Sequence, residues 1–222
     1  MRYKVGSDGF SVISGVLGVN ERQALLNVLG AVSGAGRRGL LAVPEVAMLA
    51  RSTRLLDLVR SHVAREPFPV RAIYFDKSSD GNWLVPWHQD LTLALRSRAE
   101  VPGFGPWSVK DGVPHVQPPV ECLEQMLTVR LHLDDADEVN GALRVLPGTH
   151  RLGRLSPTQV QEQRAQQTDV LCAVVTGDAL LMRPLLLHAS GRSTDADRHR
   201  RVLRIEYAAF TLPDELCWHE GA

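Results

Sequence analysis

Residues 82–93 read NWLVPWHQDLTL. They raise the question why a strand-like stretch sets His88 and Asp90 two positions apart, with Trp87 in front and apolar residues behind. A strand sends residues i and i+2 to one face. The spacing therefore predicts an imidazole and a carboxylate side by side, aimed at one point in space. Such a pair is either an accident of a solvated surface or two thirds of a metal site. A second histidine on a distant strand decides between these readings.

Residues 177–207, GDALLMRPLLLHASGRSTDADRHRRVLRIEY, supply that histidine. A Gly-Asp turn is expected to lead into an apolar strand ending at His188, then a polar loop, then a strand opening with Arg200 and Arg201. Two histidines and one carboxylate on one face of an iron ion leave three adjacent positions open. Non-haem Fe(II) sites use that arrangement to hold a co-substrate and O2 together. A strand-borne arginine about a dozen residues beyond the second histidine is placed to grip the far end of a dicarboxylate by a two-pronged hydrogen bond.

The rest of the chain sets the frame. Its 222 residues, 44% hydrophobic and 23% charged, suffice for a sizeable core and suit one unit spanning 1–222. Lys plus Arg and Asp plus Glu both number 25. The balanced charge lacks the basic footprint of a nucleic-acid binder. Cys122, Cys172 and Cys217 are odd in number without C-x-x-C spacing, which argues against a disulfide framework and a zinc ribbon. The opening MRYKVGSDGFSVI reaches no apolar signal core, and no apolar run approaches spanning length. A cytoplasmic setting, with no membrane or nucleic-acid partner, is the expectation.

Residues 20–30, with Asn20 as N-cap and Gly30 as stop, and residues 44–64, opened by Pro44, read as helices. From residue 68 the period changes to short alternating or β-branched runs, about eight strands punctuated by Gly, Pro, Asn and Asp. The prediction is a helical part to about residue 67 and a β sandwich or barrel over about 68–212. The stretch 96–120 holds five prolines and three glycines, and is expected to be a long loop serving as a lid that brings Trp107, Lys110 or His115 to a pocket. GAGRRG at 34–39 matches a dinucleotide fingerprint but follows a helix, so it reads as an interhelical loop. Asn140-Gly141 reads as a tight turn between two strands. His150 and His199 read as surface or turn histidines.

These motifs resemble the phytanoyl-CoA dioxygenase family of Fe(II)- and 2-oxoglutarate-dependent oxygenases. The matching residues are WHQD (87–90), LHLDDADEVNGALRVLPGTHRLG (131–153), TGDALLM (176–182), HAS (188–190) and RRVLRIEY (200–207), in family order over roughly residues 68–210. NGALRVLPGTHR is the most specific of them. The resemblance implies a double-stranded β-helix (jelly-roll, cupin-like) core. It also implies iron on His88, Asp90 and His188, and 2-oxoglutarate held by Arg200 with help from Ser190 and Thr128, with O2 as the other co-substrate. Arg198 and Arg201 compete for the role of Arg200. Strand parity favours Arg200, because Arg200, Val202, Arg204 and Glu206 form the charged set, and Arg201, Leu203, Ile205 and Tyr207 the apolar one. Thr128, Arg130 and His132 share a polar face. Gln89, Arg130 and Trp107 are candidate contacts for a small-molecule substrate, and Trp83, Trp87, Phe104 and the arginines near the mouth suit one with an acidic group. Two other readings remain: a cupin-like metalloenzyme doing a non-oxidative isomerisation or lyase reaction, and a non-catalytic binding module.

Overall fold

The computed structural model describes residues 3–32, 36–79, 81–195 and 197–221. Among these residues the chain runs α1 (Val5–Asp8), β1 (Phe10–Ile13), α2 (Val19–Leu29), α3 (Pro44–Ala50), α4 (Thr53–Arg60), β2 (Phe68–Lys77), β3 (Val85–His88) and β4 (Leu93–Ala94). It continues with β5 (Trp107–Lys110), β6 (Val113–Val116), α5 (Val120–Glu124), β7 (Met126–His132), β8 (Leu143–Val145), α6 (Pro157–Gln166), β9 (Val170–Cys172), β10 (Ala179–Met182), β11 (His188–Ser190) and β12 (Arg200–Ala208). A five-stranded sheet, β1-β10-β7-β12-β2, faces a four-stranded one, β3-β11-β8-β9. Every pairing is antiparallel, as a jelly roll requires.

Alternation in β7 and β12 decides what each face of the large sheet does. Leu127, Val129 and Leu131 on β7, and Leu203, Ile205 and Tyr207 on β12, pack outward beneath α2, α3 and α4, with Leu25, Val46, Ala50, Leu55 and Val59 above them. The Tyr207 hydroxyl donates to the carbonyl of Ala50, the last residue of α3, at 2.8 Å. The inward set carries the charges described below.

Several local expectations need correction. The helix expected over 44–64 is two, because the hydroxyl of Ser52 accepts from Leu55 N–H (3.4 Å) and starts α4 afresh. Gly18, two residues before the expected Asn20, is the N-cap of α2, and its N–H is held by the Glu21 carboxylate at 3.0 Å. The apolar run before His188 is not one strand. Pro184 cannot donate to a ladder, so β10 ends at Met182 in the large sheet, and His188 opens β11 in the small one.

The stretch 96–120 is no structureless lid either. It contains the hairpin β5–β6, which adds β4 to make a third sheet, β4-β6-β5. The hairpin turns on Asp111 and Gly112, both at positive φ (51° and 77°), as a tight two-residue turn demands. Asn140-Gly141 does lie in a turn, where the Asn140 amide donates to Asp135 O (2.7 Å), but that turn carries the chain from one sheet to the other. Of the GAGRRG stretch, Gly34 and Ala35 fall outside the described residues, while Arg37 bridges to Tyr74 of β2. No described helix is long and apolar enough to cross a membrane.

Leu203→Ala should cost about 2–5 kcal/mol in urea unfolding, because it empties fully buried volume under the helices. Tyr207→Phe, which deletes only the hydrogen bond to Ala50, should cost about 1 kcal/mol.

Candidate metal and co-substrate site

His88 ends β3 and His188 opens β11, and the two are direct cross-strand partners in the small sheet. Their rings stand 4.2 Å apart. Each donates its Nδ1–H to the carbonyl two residues earlier, His88 to Pro86 O and His188 to Leu186 O, both at 2.9 Å. That bond selects the tautomer with a free Nε2 lone pair, as a metal ligand needs. Asp90 lies beyond the end of β3, so its side chain is aimed by the turn and not by the strand pleat, contrary to the expected i, i+2 geometry. Its N–H is fixed by Pro184 O at 2.9 Å.

The carboxylate reaches both free nitrogens, with Oδ1 3.9 Å from His88 Nε2 and Oδ2 3.6 Å from His188 Nε2. One ligand atom from each of the three residues lies within 4.8 Å of the others. Burial works to raise the Asp90 carboxyl, but Arg204, His188 and His88 more than reverse this and hold it well below the usual carboxylate range. Burial pushes His188 down to about 4 against the pull of Asp90. A carboxylate beside two imidazoles with correctly oriented Nε2 atoms is a fitting donor set for a divalent metal.

Arg204, which the sequence pattern did not single out for this place, donates from Nη2 to Asp90 Oδ2 at 2.8 Å, and the same nitrogen lies 2.8 Å from Glu206 Oε1. It holds the carboxylate from behind, leaving Oδ1 nearer His88.

A cavity of about 170 Å3 opens beside the triad, lined by His88, His188, Ser190, Arg130, Arg200, Arg204, Phe75, Trp83, Val85 and Leu143. Arg200 is 3% exposed, and its Nε and Nη1 have no hydrogen-bond partner. The competing arginines are spent elsewhere: Arg201 is clamped to Asp134 by two bonds of 2.7 Å, and Arg198 pairs with Asp137 at 2.8 Å. Directly across from Arg200 on β2 stands Lys77, wholly buried, donating from Nζ to Ser190 Oγ (2.9 Å) and Gly191 O (2.5 Å). Its approach depends on Gly141 (φ 73°), where a Cβ would come within 2.5 Å of Gly191 O and 3.2 Å of Nζ. The sequence offered one signal for Lys77: it shares strand parity with Arg71, Ile73 and Phe75 on β2.

Some expected contacts do not assemble. Thr128 pairs with Glu206, whereas Arg200 lies six residues earlier on β12. At about 3.3 Å per residue that is roughly 20 Å, too far for Thr128 to share a carboxylate with Arg200. Gln89 has its amide occupied by the backbone: Nε2 donates to Gly153 O and Leu185 O, and Oε1 accepts from Leu155 N–H. Trp107 and Phe104 pack in an apolar cluster with Leu93 and Val116, and Trp87 lies under the Arg164 guanidinium. Trp83 does line the cavity, and Arg130 stands there too, its guanidinium over the Phe75 ring. His199 binds Asp76 at 2.7 Å, and His150 approaches Gly6 O; neither is near the triad set.

Comparison with known proteins agrees with this geometry. The family model Phytanoyl-CoA dioxygenase (PhyH) matches residues 7–201. The chain belongs to that family. It is therefore an enzyme of the Fe(II)- and 2-oxoglutarate-dependent oxygenases, with iron and 2-oxoglutarate as cofactors. No curated protein sequence matches it.

Among solved structures it is similar to AviO1 from Streptomyces viridochromogenes Tue57 (22% identity, TM-score 0.65, covering 94% of this chain and 95% of that one). It is also similar to EctD from S. alaskensis with 2-oxoglutarate and 5-hydroxyectoine (20%, TM-score 0.69, 92% and 73%). A third similar structure is SnoN, a non-heme alpha ketoglutarate dependent epimerase from nogalamycin biosynthesis (17%, TM-score 0.66, 91% and 78%).

His88→Ala and His188→Ala should each abolish Fe(II) binding in an anaerobic titration. Arg204→Met should keep the fold but weaken Fe(II) about 10–100-fold, the usual cost of losing a partner that orients a ligand.

Proposed function

We propose that this chain hydroxylates a small molecule, with 2-oxoglutarate converted to succinate and CO2. The observation that carries this reading is Arg200, a buried guanidinium with two unpartnered nitrogens in the same cavity as the His88, Asp90, His188 set. A buried charge without a partner is costly, and a dicarboxylate's far end supplies the missing partner. Iron and 2-oxoglutarate held there would supply the oxidising power for placing one oxygen atom of O2 in a substrate C–H bond.

The protein's own residues bind, orient and shield. His88, Asp90 and His188 hold the metal on one side, and Asp90 is fixed by Arg204. Arg200 meets the C5 carboxylate of 2-oxoglutarate with its planar fork. Lys77, across the strand pair, adds a second positive charge, and the Ser190 hydroxyl, donating to Gly141 O, holds the Lys77 ammonium in place. Neutral His132, pushed down by burial and by Arg130 and Arg200, completes this end of the sheet. Phe75, Trp83, Val85 and Leu143 give the cavity an apolar wall. The free cysteines suit a cytoplasmic setting.

A non-oxidative cupin-like reaction would give Arg200 nothing to bind, and a non-catalytic module would have no use for an intact ligand set. Epimerisation, the activity named for SnoN, keeps the same cofactors, so product mass separates it from hydroxylation: the hydroxylated product is heavier by one oxygen atom. A screen for succinate release, followed by mass analysis of the product, tests the reading. No succinate release with any small molecule, from protein that binds Fe(II) and 2-oxoglutarate, would count against it.

Arg200→Lys should weaken 2-oxoglutarate by roughly 2–5 kcal/mol while leaving Fe(II) affinity nearly unchanged. Arg201→Lys should do much less, and the reverse order would show that the wrong arginine has been assigned.

The pH dependence follows from Lys77, which burial, followed by Arg200, Arg130 and Arg192, pushes down to about 7. A bound dianion raises it again. The contribution of Lys77 is therefore fully present below about pH 7 and declines as pH rises above that value, until the raised pKa of the complex is passed. Isothermal titration between pH 6 and pH 9 (an assay window around the Lys77 value) should show this fall in the wild type, and Lys77→Met should flatten it.

A further inference from the structure

The β3–β11 ladder stops at the pair His88–His188. Beyond that pair the chain that carries Asp90 and the chain that leads into His188 run outside any strand, over residues 89–92 and 183–187. The place of Asp90, and the approach to His188, therefore depend on a connection that the sheet does not supply.

Three consecutive carbonyls make it. Pro184 O accepts from Asp90 N–H at 2.9 Å, Leu185 O from Gln89 Nε2 at 2.7 Å, and Leu186 O from His188 Nδ1 at 2.9 Å. The next residue is tied on its other side: Leu187 N–H donates to Thr149 Oγ1 and Leu187 O accepts from Leu146 N–H, both at 3.0 Å. Gln89 also reaches a third segment. Its Nε2 donates to Gly153 O at 2.8 Å, and its Oε1 accepts from Leu155 N–H at 2.8 Å. One side chain, 7% exposed, thus joins the turn that bears Asp90 to the stretch that orients His188 and to residues 153–155.

The residue type follows from the partners. Two carbonyls and one N–H must be met by two donors and one acceptor, which a primary amide provides and which also fixes which end is nitrogen. A glutamate has nearly the same shape but would set carboxylate oxygens against Gly153 O and Leu185 O. A methionine would fill the space and leave all three backbone groups unmet. If the amide only satisfied those groups, its loss would lower stability and leave the ligands in place. Because Leu185 lies between the carbonyls that hold Asp90 and His188, freeing it moves both ligands.

We propose that Gln89 is a positioning residue for the metal centre, clamping Leu185 so that the Asp90 carboxylate and the His188 imidazole keep their mutual geometry. The role rests on the His88, Asp90, His188 set and holds whichever oxidation the enzyme performs.

The test compares the full wild-type chain with Gln89→Met, Gln89→Glu and Leu55→Ala, the last emptying buried volume in α4, away from the metal ligands. Urea midpoints, anaerobic Fe(II) titrations and the visible d–d bands of Co(II)-loaded protein are read in parallel. Gln89→Met should weaken Fe(II) binding about 10–100-fold, as for other groups that orient metal ligands, and shift the Co(II) bands. Gln89→Glu should weaken it at least as much, despite its shape. Leu55→Ala should lower the urea midpoint at least as far, with Fe(II) affinity kept within about twofold and the Co(II) bands unmoved. In the metal-free wild type the side-chain amide protons of Gln89 should exchange slowly with solvent, a readout that needs no variant. Fe(II) affinity in Gln89→Met within about twofold of wild type, or a loss that Leu55→Ala reproduces, overturns the positioning role. Fast exchange of the Gln89 amide protons overturns it as well. Failure of the wild type itself to bind Fe(II) would instead strike the metal set on which the role rests.

Discussion

One strand carries opposite duties on its two faces, and the site depends on that. β12 is nine residues long and lies between β7 and β2. Its outward residues Leu203, Ile205 and Tyr207 are sealed under the helices, while its inward residues Arg200, Arg204 and Glu206 are buried against the small sheet. Because the side-chain period is two, a slip of one residue would drive three guanidinium or carboxylate groups into the apolar layer and bring Leu203 and Tyr207 into the cavity. The apolar face therefore locks the register that places each charge. The positions of Arg200 and Arg204 relative to the metal ligands are set by packing energy on the far side of the sheet.

That arrangement stores a cost. Arg204 is stabilised by Asp90 and Glu206, but Arg200 and Arg130 keep unpartnered nitrogens; burial pushes both guanidiniums down, with Arg204 and Arg200 adding to it at Arg130, without making an arginine neutral at ordinary pH. Anions entering the cavity relieve this repulsion. Binding free energy and folding free energy thus share one source, and the protein is expected to be more stable with its co-substrate than without. The helix layer supplies the surplus that keeps such a face folded, through a continuous cluster from Val5 to Tyr207.

Much of this was legible from residue types and spacing. The two histidines and Asp90 were legible from the chemistry of metal ligands, and the alternation of β12 from parity. Other features were hidden for physical reasons. Asp90 shares no strand with His88, because β3 ends at the histidine and a hydrogen bond to Pro184 O sets the turn. Thr128 and Arg130 share a face, but only the pairing of β7 with β12 shows that they stand level with different groups. Gln89 is polar beside a metal ligand, yet three backbone groups use up its amide. The hairpin was concealed by its prolines and glycines, although Lys110-Asp111-Gly112-Val113 carries the Asp-Gly signal of a tight turn. Nothing but strand parity pointed to Lys77, whose burial follows from long-range pairing with Arg200.

His115 shows what makes a histidine a ligand here. Its Nδ1–H donates to the carbonyl two residues earlier at 2.9 Å, the same local geometry as His88 and His188. All three present a free Nε2, so the extended backbone sets the tautomer by itself and carries no information about metal. The distinction comes from what faces the free nitrogen. His88 and His188 sit across from each other with one carboxylate between them, whereas His115 Nε2 is buried without a partner and stands outside that set. One backbone device, repeated three times, thus yields two metal ligands and one histidine outside their set, and the carboxylate facing the free nitrogens of the pair decides which is which.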